Sequence, residues 1–221
     1  MLETLREIKK TQKRPDGIFG SFMTRPVSHI VAFVSYKLSL TPNIVSFLSI
    51  VFCIISIVLL YLFPHDYVMI CIAAVSWWIG GIFDAADGDL ARFTGKGSAF
   101  GGWFDSFLDR IKEFLIFALF GYLMFKQYNN ELYLLLGFIS VFTNIMSGYI
   151  SDTKKLFITE RTPDIQFSKN YSFGMVDTRD FFVVLSLFLN EFRIALIVYS
   201  TVFVLALGFQ TLKFMLKYGK Q

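Results

Sequence analysis

Residues 43–63 carry no charge, and nearly every position among them is apolar. As an α-helix, a stretch of that length crosses about 30 Å of hydrocarbon, where only helices and closed barrels satisfy their own backbones. Composition agrees: of 221 residues, 55% are hydrophobic and 18% aromatic. The mean hydropathy is +0.57, which marks an integral membrane protein rather than a soluble domain. Further apolar runs at 67–83, 132–150, 181–189 and 194–212, with a span that starts in a more polar stretch near residue 101 and extends to about 125, predict an all-α membrane protein with six transmembrane helices. The run at 181–189 is too short to span alone. Its helix must begin several residues earlier, which draws Asp177, Arg179 and Asp180 to membrane depth, where charges face a wet cavity rather than lipid.

The first forty residues read differently. Arg6, Lys9, Lys10, Lys13 and Arg14 precede no apolar core of the kind a secretory signal needs, so residues 1–16 are predicted to be a solvated arm near anionic lipid. Met23, Val27, Ile30, Val31, Val34 and Leu38 then recur at helical spacing, with Arg25, Ser28, His29, Ser35 and Lys37 on other faces. That pattern predicts an N-terminal amphipathic helix lying flat at the interface. Two units follow: residues 1–40, a cytosolic arm with its juxtamembrane helix, and residues 41–221, the six-helix transmembrane domain. Thr41 and Pro42 suit the cap and first turn of the first span. Cys53 and Cys71 lie inside apolar runs and are expected to be buried thiols, while His29 and His65 have no ligand-like company.

Lysine and arginine mark the two sides. Seven lie before the first span, Arg92, Lys96, Arg110 and Lys112 surround the second connection, four lie in residues 151–176, and three follow the last span. The alternate connections carry none, Lys126 and Arg193. The positive-inside rule therefore places both termini and the second connection in the cytoplasm.

That connection holds the chemistry. Asp84, Asp87, Gly88 and Ala91 fall on one helical arc with Arg92 at its edge, whereas Asp89 points away. Gly101, Asp105 and Asp109 share an arc on the following arm. The short link, with Gly95 and Gly97, should bring the two acidic faces together. Carboxylates so placed repel one another unless cations lie between them. Hard oxygen ligands without nearby His or Cys favour Mg2+ or Mn2+ over zinc. Ion pairs with Arg92, Arg110 and Lys112 would also neutralise the acids, but would not explain glycine and alanine at fixed spacing.

Asp84-x-x-Asp87-Gly88-x-x-Ala91-Arg92, eight residues, then Gly101-x-x-x-Asp105-x-x-x-Asp109 resembles the signature of the CDP-alcohol phosphotransferases at every fixed position. The resemblance implies a membrane-embedded transferase of phospholipid or related phosphodiester biosynthesis. It would move a phosphoalcohol group, foremost phosphatidyl, from a CDP-alcohol to a hydroxyl acceptor and release CMP. Two divalent cations on Asp84, Asp87, Asp105 and Asp109 would engage the diphosphate, with Asp109 also the general base. Gly88, Ala91 and Gly101 would admit the nucleotide, and Arg92 would engage a phosphate or help hold the carboxylates. Asn43 would face the nucleotide, although capping or packing explains it equally well. A homodimer is implied; partners are a CDP-linked alcohol such as CDP-diacylglycerol, a small polar alcohol and the bilayer, with no nucleic acid expected.

Acceptor identity is less constrained. Asp16-Gly17-Ile18 and Arg25-Pro26 are similar to members acting on inositol phosphate compounds, and Arg179, Lys154 and Arg161 are candidates to bind a phosphorylated acceptor. Glycerol phosphate would satisfy the same charges. Arg179 equally suits an interfacial anchor, and the loop lysines and arginines equally suit a plain cytosolic marker. The alternative from another class is a divalent cation transporter or channel lined by the acidic residues. Their concentration at one helical hairpin, rather than on several spans near the midplane, favours catalysis.

Overall fold

The computed structural model describes residues 2–12, 16–17, 20–157, 165–166, 171–173 and 175–218. Its frame starts where local chemistry sets helix ends. The Thr41 hydroxyl accepts from Ile44 N at 3.4 Å and Pro42 occupies the first turn of α3 (Pro42–Leu62). Asp66 caps α4 (Tyr67–Thr94) by accepting from Val68 N at 2.9 Å and Met69 N at 3.2 Å. Gly95 ends α4 in the left-handed region at φ +65, a conformation that costs glycine little. Ser98 then caps α5 (Ala99–Tyr128), accepting from Gly101 N at 2.9 Å.

The second apolar run and the first acidic arm are thus one helix of 28 residues, and the second arm continues into a helix of 30. At about 1.5 Å per residue both exceed a hydrocarbon slab of about 30 Å.

The remaining helices are α1 (Leu2–Lys10), α2 (Arg25–Lys37), α6 (Leu132–Phe157), α7 (Met175–Leu189) and α8 (Phe192–Tyr218), with a π-helical turn over Gly20–Thr24. Pro42–Leu62, Tyr67–Thr94, Leu132–Ile150 and Phe192–Leu216 are long and apolar enough to cross a membrane. The other two expected spans differ: α5 carries Asp105, Asp109, Arg110, Lys112 and Glu113 in its first half, and α7 has 15 residues. As expected, α7 starts upstream of its apolar run, and Arg179 is buried.

The fold is all-helical as expected, with one small addition. Asp16–Gly17 (β1), Ile165–Gln166 (β2) and Tyr171–Phe173 (β3) form a small sheet in which β3 pairs parallel with β1 and antiparallel with β2. Strands this short leave no readable alternation.

Two clusters hold the helices together. The larger includes Leu60, Trp77, Phe117, Phe120, Leu187, Leu196 and Tyr199; Phe117 and Tyr199 stack at 4.1 Å, and Tyr199 and Phe203 at 3.8 Å. The smaller joins Ile8, Ala32, Val45, Ala86 and Leu90, so the N-terminal arm is helical and packed rather than simply solvated. Helix α2 buries Ser28, His29, Ala32 and Ser35 while exposing Val27, Ile30, Val34 and Leu38. Its small polar face packs on α4, and the apolar stripe points outward. Large apolar side chains such as Phe138 (69% exposed) and Leu205 (73%) also face out, as a surface solvated by lipid requires. Cys53 and Cys71 are free thiols, the first buried.

Helices α5 and α6 pack at Gly121 and Gly137, where a Cβ on either would lie 3.0 Å from the other's Cα. Gly137→Ala should lower stability by about 1–3 kcal/mol, read as a lower thermal midpoint in detergent. Gly208→Ala, where the added carbon meets open space, should leave stability unchanged or raise it by up to about 1 kcal/mol. Equal midpoints for the two variants would contradict this packing.

Candidate active site

The α4–α5 hairpin brings the expected acidic residues together. Asp84, Asp105 and Asp109 offer carboxylate oxygens within 4.8 Å of one another. Asp87 is buried and accepts a short hydrogen bond from the Ser46 hydroxyl on α3. Lys112, also buried, donates to Asp84 Oδ1 at 2.8 Å and lies 2.6 Å from Asp109 Oδ1. One ammonium thus bridges the two helices, and cannot by itself balance the four carboxylates around it.

A metal fits this arrangement. The donors are all hard oxygens, and Asp109 Oδ1 is buried yet accepts no hydrogen bond of acceptable geometry among the described residues. Such a buried, incompletely satisfied oxygen suits an oxygen-seeking divalent ion.

Beside the carboxylates lies a cavity of about 420 Å³. Every residue expected to meet a nucleotide lines it: Asn43, Gly88, Ala91, Arg92 and Gly101. Asp87 and Asp105 reach it from the acidic side, and Ser46 and Lys96 complete a wall that the motif alone did not indicate. The glycines have steric reasons. A Cβ on Gly88 would come within 3.2 Å of the Arg92 guanidinium, and one on Gly101 within 3.2 Å of both Asn43 Oδ1 and Ser98 Oγ.

The other charged residues have different partners. Arg92 pairs with Asp89 at 2.7 Å and not with the clustered acids. Arg110 pairs with Glu113 at 2.6 Å and donates to the Asn144 carbonyl at 3.2 Å. Gly148 leaves room for that guanidinium, which any Cβ there would overlap. Arg179 donates to Glu113 and lies 3.2 Å from Asp180, and Tyr199 donates to Asn144 Oδ1 at 2.6 Å. Helices α5, α6, α7 and α8 thus meet in one buried polar network behind Asp109. Glu113 was readable in principle, since it continues the Asp105, Asp109 series at every fourth position. His29 is not isolated: its Nε2 lies 3.7 Å from Asp89. Arg161 and the Lys154 side chain lie outside the described residues.

A family profile for CDP-alcohol phosphatidyltransferase matches residues 39–212. The chain belongs to the CDP-alcohol phosphatidyltransferase family. It is 27% identical over 143 residues to a bifunctional IPC transferase and DIPP synthase of Archaeoglobus fulgidus, covering 65% of this chain and 28% of that protein. It is 48% identical over 42 residues to an archaetidylinositol phosphate synthase of Pyrococcus horikoshii, covering 19% of this chain and 22% of that protein. The matched region is therefore less than a third of either curated relative. The crystal structure of Mycobacterium tuberculosis phosphatidylinositol phosphate synthase with CDP-DAG bound superposes with a TM-score of 0.63 at 21% identity, covering 86% of this chain and 91% of that one. This last likeness shows that the phosphatidyltransferase fold is shared.

If the three clustered carboxylates form a cation site, Asp105→Asn should weaken Mn2+ binding by roughly tenfold or more, measured by titration calorimetry on the full-length protein. Unchanged affinity would remove Asp105 from the site.

Proposed function

We propose that this phosphatidyltransferase moves a phosphatidyl-type group from a CDP-linked lipid, foremost CDP-diacylglycerol, to the hydroxyl of an inositol phosphate, releasing CMP. The observation that carries the reading is the juxtaposition of three clustered carboxylates with a cavity walled by all five nucleotide-facing residues. Membership of the family supports the reaction class. The acceptor assignment rests on the inositol phosphate named in the Pyrococcus relative and the Mycobacterium structure, with glycerol phosphate the competing acceptor of like charge.

In this mechanism Asp84, Asp87, Asp105 and Asp109 would hold two divalent ions, Mg2+ or Mn2+, which when bound would supply charge that neutralises the diphosphate. Asn43, Gly88, Ala91, Arg92 and Gly101 seat the cytidine and its phosphates. The acceptor oxygen forms a bond to the lipid-bearing phosphorus as the bond to the CMP oxygen breaks. Asp109 takes the acceptor's proton. Lys112 holds Asp109 and Asp84 in place across the hairpin. Arg179 lies behind Asp109, and we assign it, with Lys154 and Arg161, to the acceptor side. Glu113 would then fix the direction in which Arg179 presents its charge.

The same reading sets the membrane arrangement. Residues 41–221 form the catalytic unit with six spans, α5 and α7 completing the four apolar ones, and residues 1–40 the juxtamembrane unit. Helix α2 lies in the interface with its apolar stripe toward lipid. The lysine and arginine asymmetry supports cytoplasmic termini and a cytoplasmic site, and the protein acts as a homodimer.

Purified protein incubated with CDP-diacylglycerol, Mg2+ or Mn2+ and each acceptor in turn should release CMP fastest with inositol phosphate. Asp109→Asn should reduce the rate at least about a hundredfold. Faster release with glycerol phosphate would reassign the acceptor. Metal flux without CMP release would support the transporter reading instead, and full activity in Asp109→Asn would remove the assigned base.

A further inference from the structure

Asp89 lies within the signature stretch but turns away from its carboxylates. It is fully buried, an expensive place for a charge unless partners surround it. Those partners come from two directions. Arg25 on α2 donates to both Asp89 oxygens, at 3.1 and 3.0 Å, and to the Ala85 carbonyl at 3.3 Å. Arg92, one turn further along α4, donates from Nη2 to Asp89 Oδ1 at 2.7 Å. Two guanidiniums thus meet one carboxylate beside the cavity.

Arg92 is held a second time. Its Nε donates to the Thr11 carbonyl at 2.8 Å, just beyond α1, whose Ile8 is buried in the smaller apolar cluster. With Nε and Nη2 occupied, the planar fork has little freedom to rotate. Nη1 makes no hydrogen bond among the described residues and lies over Gly88, where the missing side chain leaves the cavity open. Arg25 and Thr11 both precede residue 39, where the family match begins. The segment that fixes the signature arginine is therefore not part of the matched region.

We propose that Asp89 is a positioning residue for the CDP-linked donor: together with the Thr11 carbonyl it holds the Arg92 fork so that its Nη1 edge faces the diphosphate. Arg92 sits at the edge of the acidic arc. A guanidinium released from Asp89 would be drawn toward the motif carboxylates and would oppose their cations. Asp89 thus keeps the site's arginine apart from its acids, and the N-terminal arm takes part in donor binding without touching the donor. This inference rests on the CDP-donor reading above.

The test measures CDP binding to the full-length protein in detergent with Mg2+, and the KM and kcat for CDP-diacylglycerol. Asp89→Asn should weaken CDP binding and raise the donor KM by roughly tenfold, with kcat within about twofold and the acceptor KM unchanged. In an Arg92→Gln background the same substitution should add nothing, because its effect passes through Arg92. Asp89→Glu, which keeps the charge, should recover most of the affinity and provides the reading if Asp89→Asn does not fold. Additive losses in the double variant, or equal losses of kcat and donor affinity, would overturn the inference. Wild-type protein that fails to bind CDP would instead overturn the CDP-donor reading.

Discussion

Electrostatic repulsion across the α4–α5 hairpin is the constraint around which the rest is arranged. Two long helices, joined through a left-handed glycine, present Asp84 to Asp105 and Asp109 at close range, with Asp87 held beside them by Ser46. In a folded membrane protein such a confrontation persists only if the surrounding packing over-determines it. The smaller cluster packs the end of α4 against α1, α2 and α3, and Lys112 ties Asp84 to Asp109. The remaining negative charge would suit the cavity to cations and, in the proposed reaction, through them to a diphosphate.

Cationic side chains in this region are sorted rather than pooled. Lys112 goes to the clustered carboxylates, Arg25 and Arg92 to Asp89, and Arg110 and Arg179 to Glu113. The four guanidiniums thus share two buried acids, and Asp105 has no cationic partner among the described contacts. Charges at this depth are expensive unless paired or wet. With the arginines paired elsewhere, the clustered oxygens would suit a hard cation. Small residues make this possible: Gly88 lies under Arg92, and Gly148 beside Arg110.

The sequence revealed whatever follows a short-range rule. Thr41, Gly95 and the 84–109 spacing each act within a few residues, and the corresponding cap, turn and acidic hairpin are present in the structure. The four most apolar helices were legible for the same reason. Partners separated by dozens of positions were not. Asp89 follows a fixed position of the motif, yet its contacts depend on Arg25 and, through Arg92, on Thr11. Position 89 on the helical wheel indicated only that it faced elsewhere. Glu113 likewise gains meaning from Arg179 on another helix, and the small sheet joins residues 16–17 to a distant connection. In α2 the face buried against protein bears Ser28, His29 and Ser35, and Val31 of the expected apolar stripe packs inward with it.

The central claim is that these carboxylates hold divalent ions against a pyrophosphate. Electron–nuclear double resonance on protein loaded with Mn2+ and CDP tests it most directly, because phosphorus coupling to manganese requires the two to be in contact. The account expects strong phosphorus coupling in the wild-type protein and its loss in Asp84→Asn. Bound manganese with no phosphorus coupling, or coupling that survives unchanged in Asp84→Asn, would contradict it.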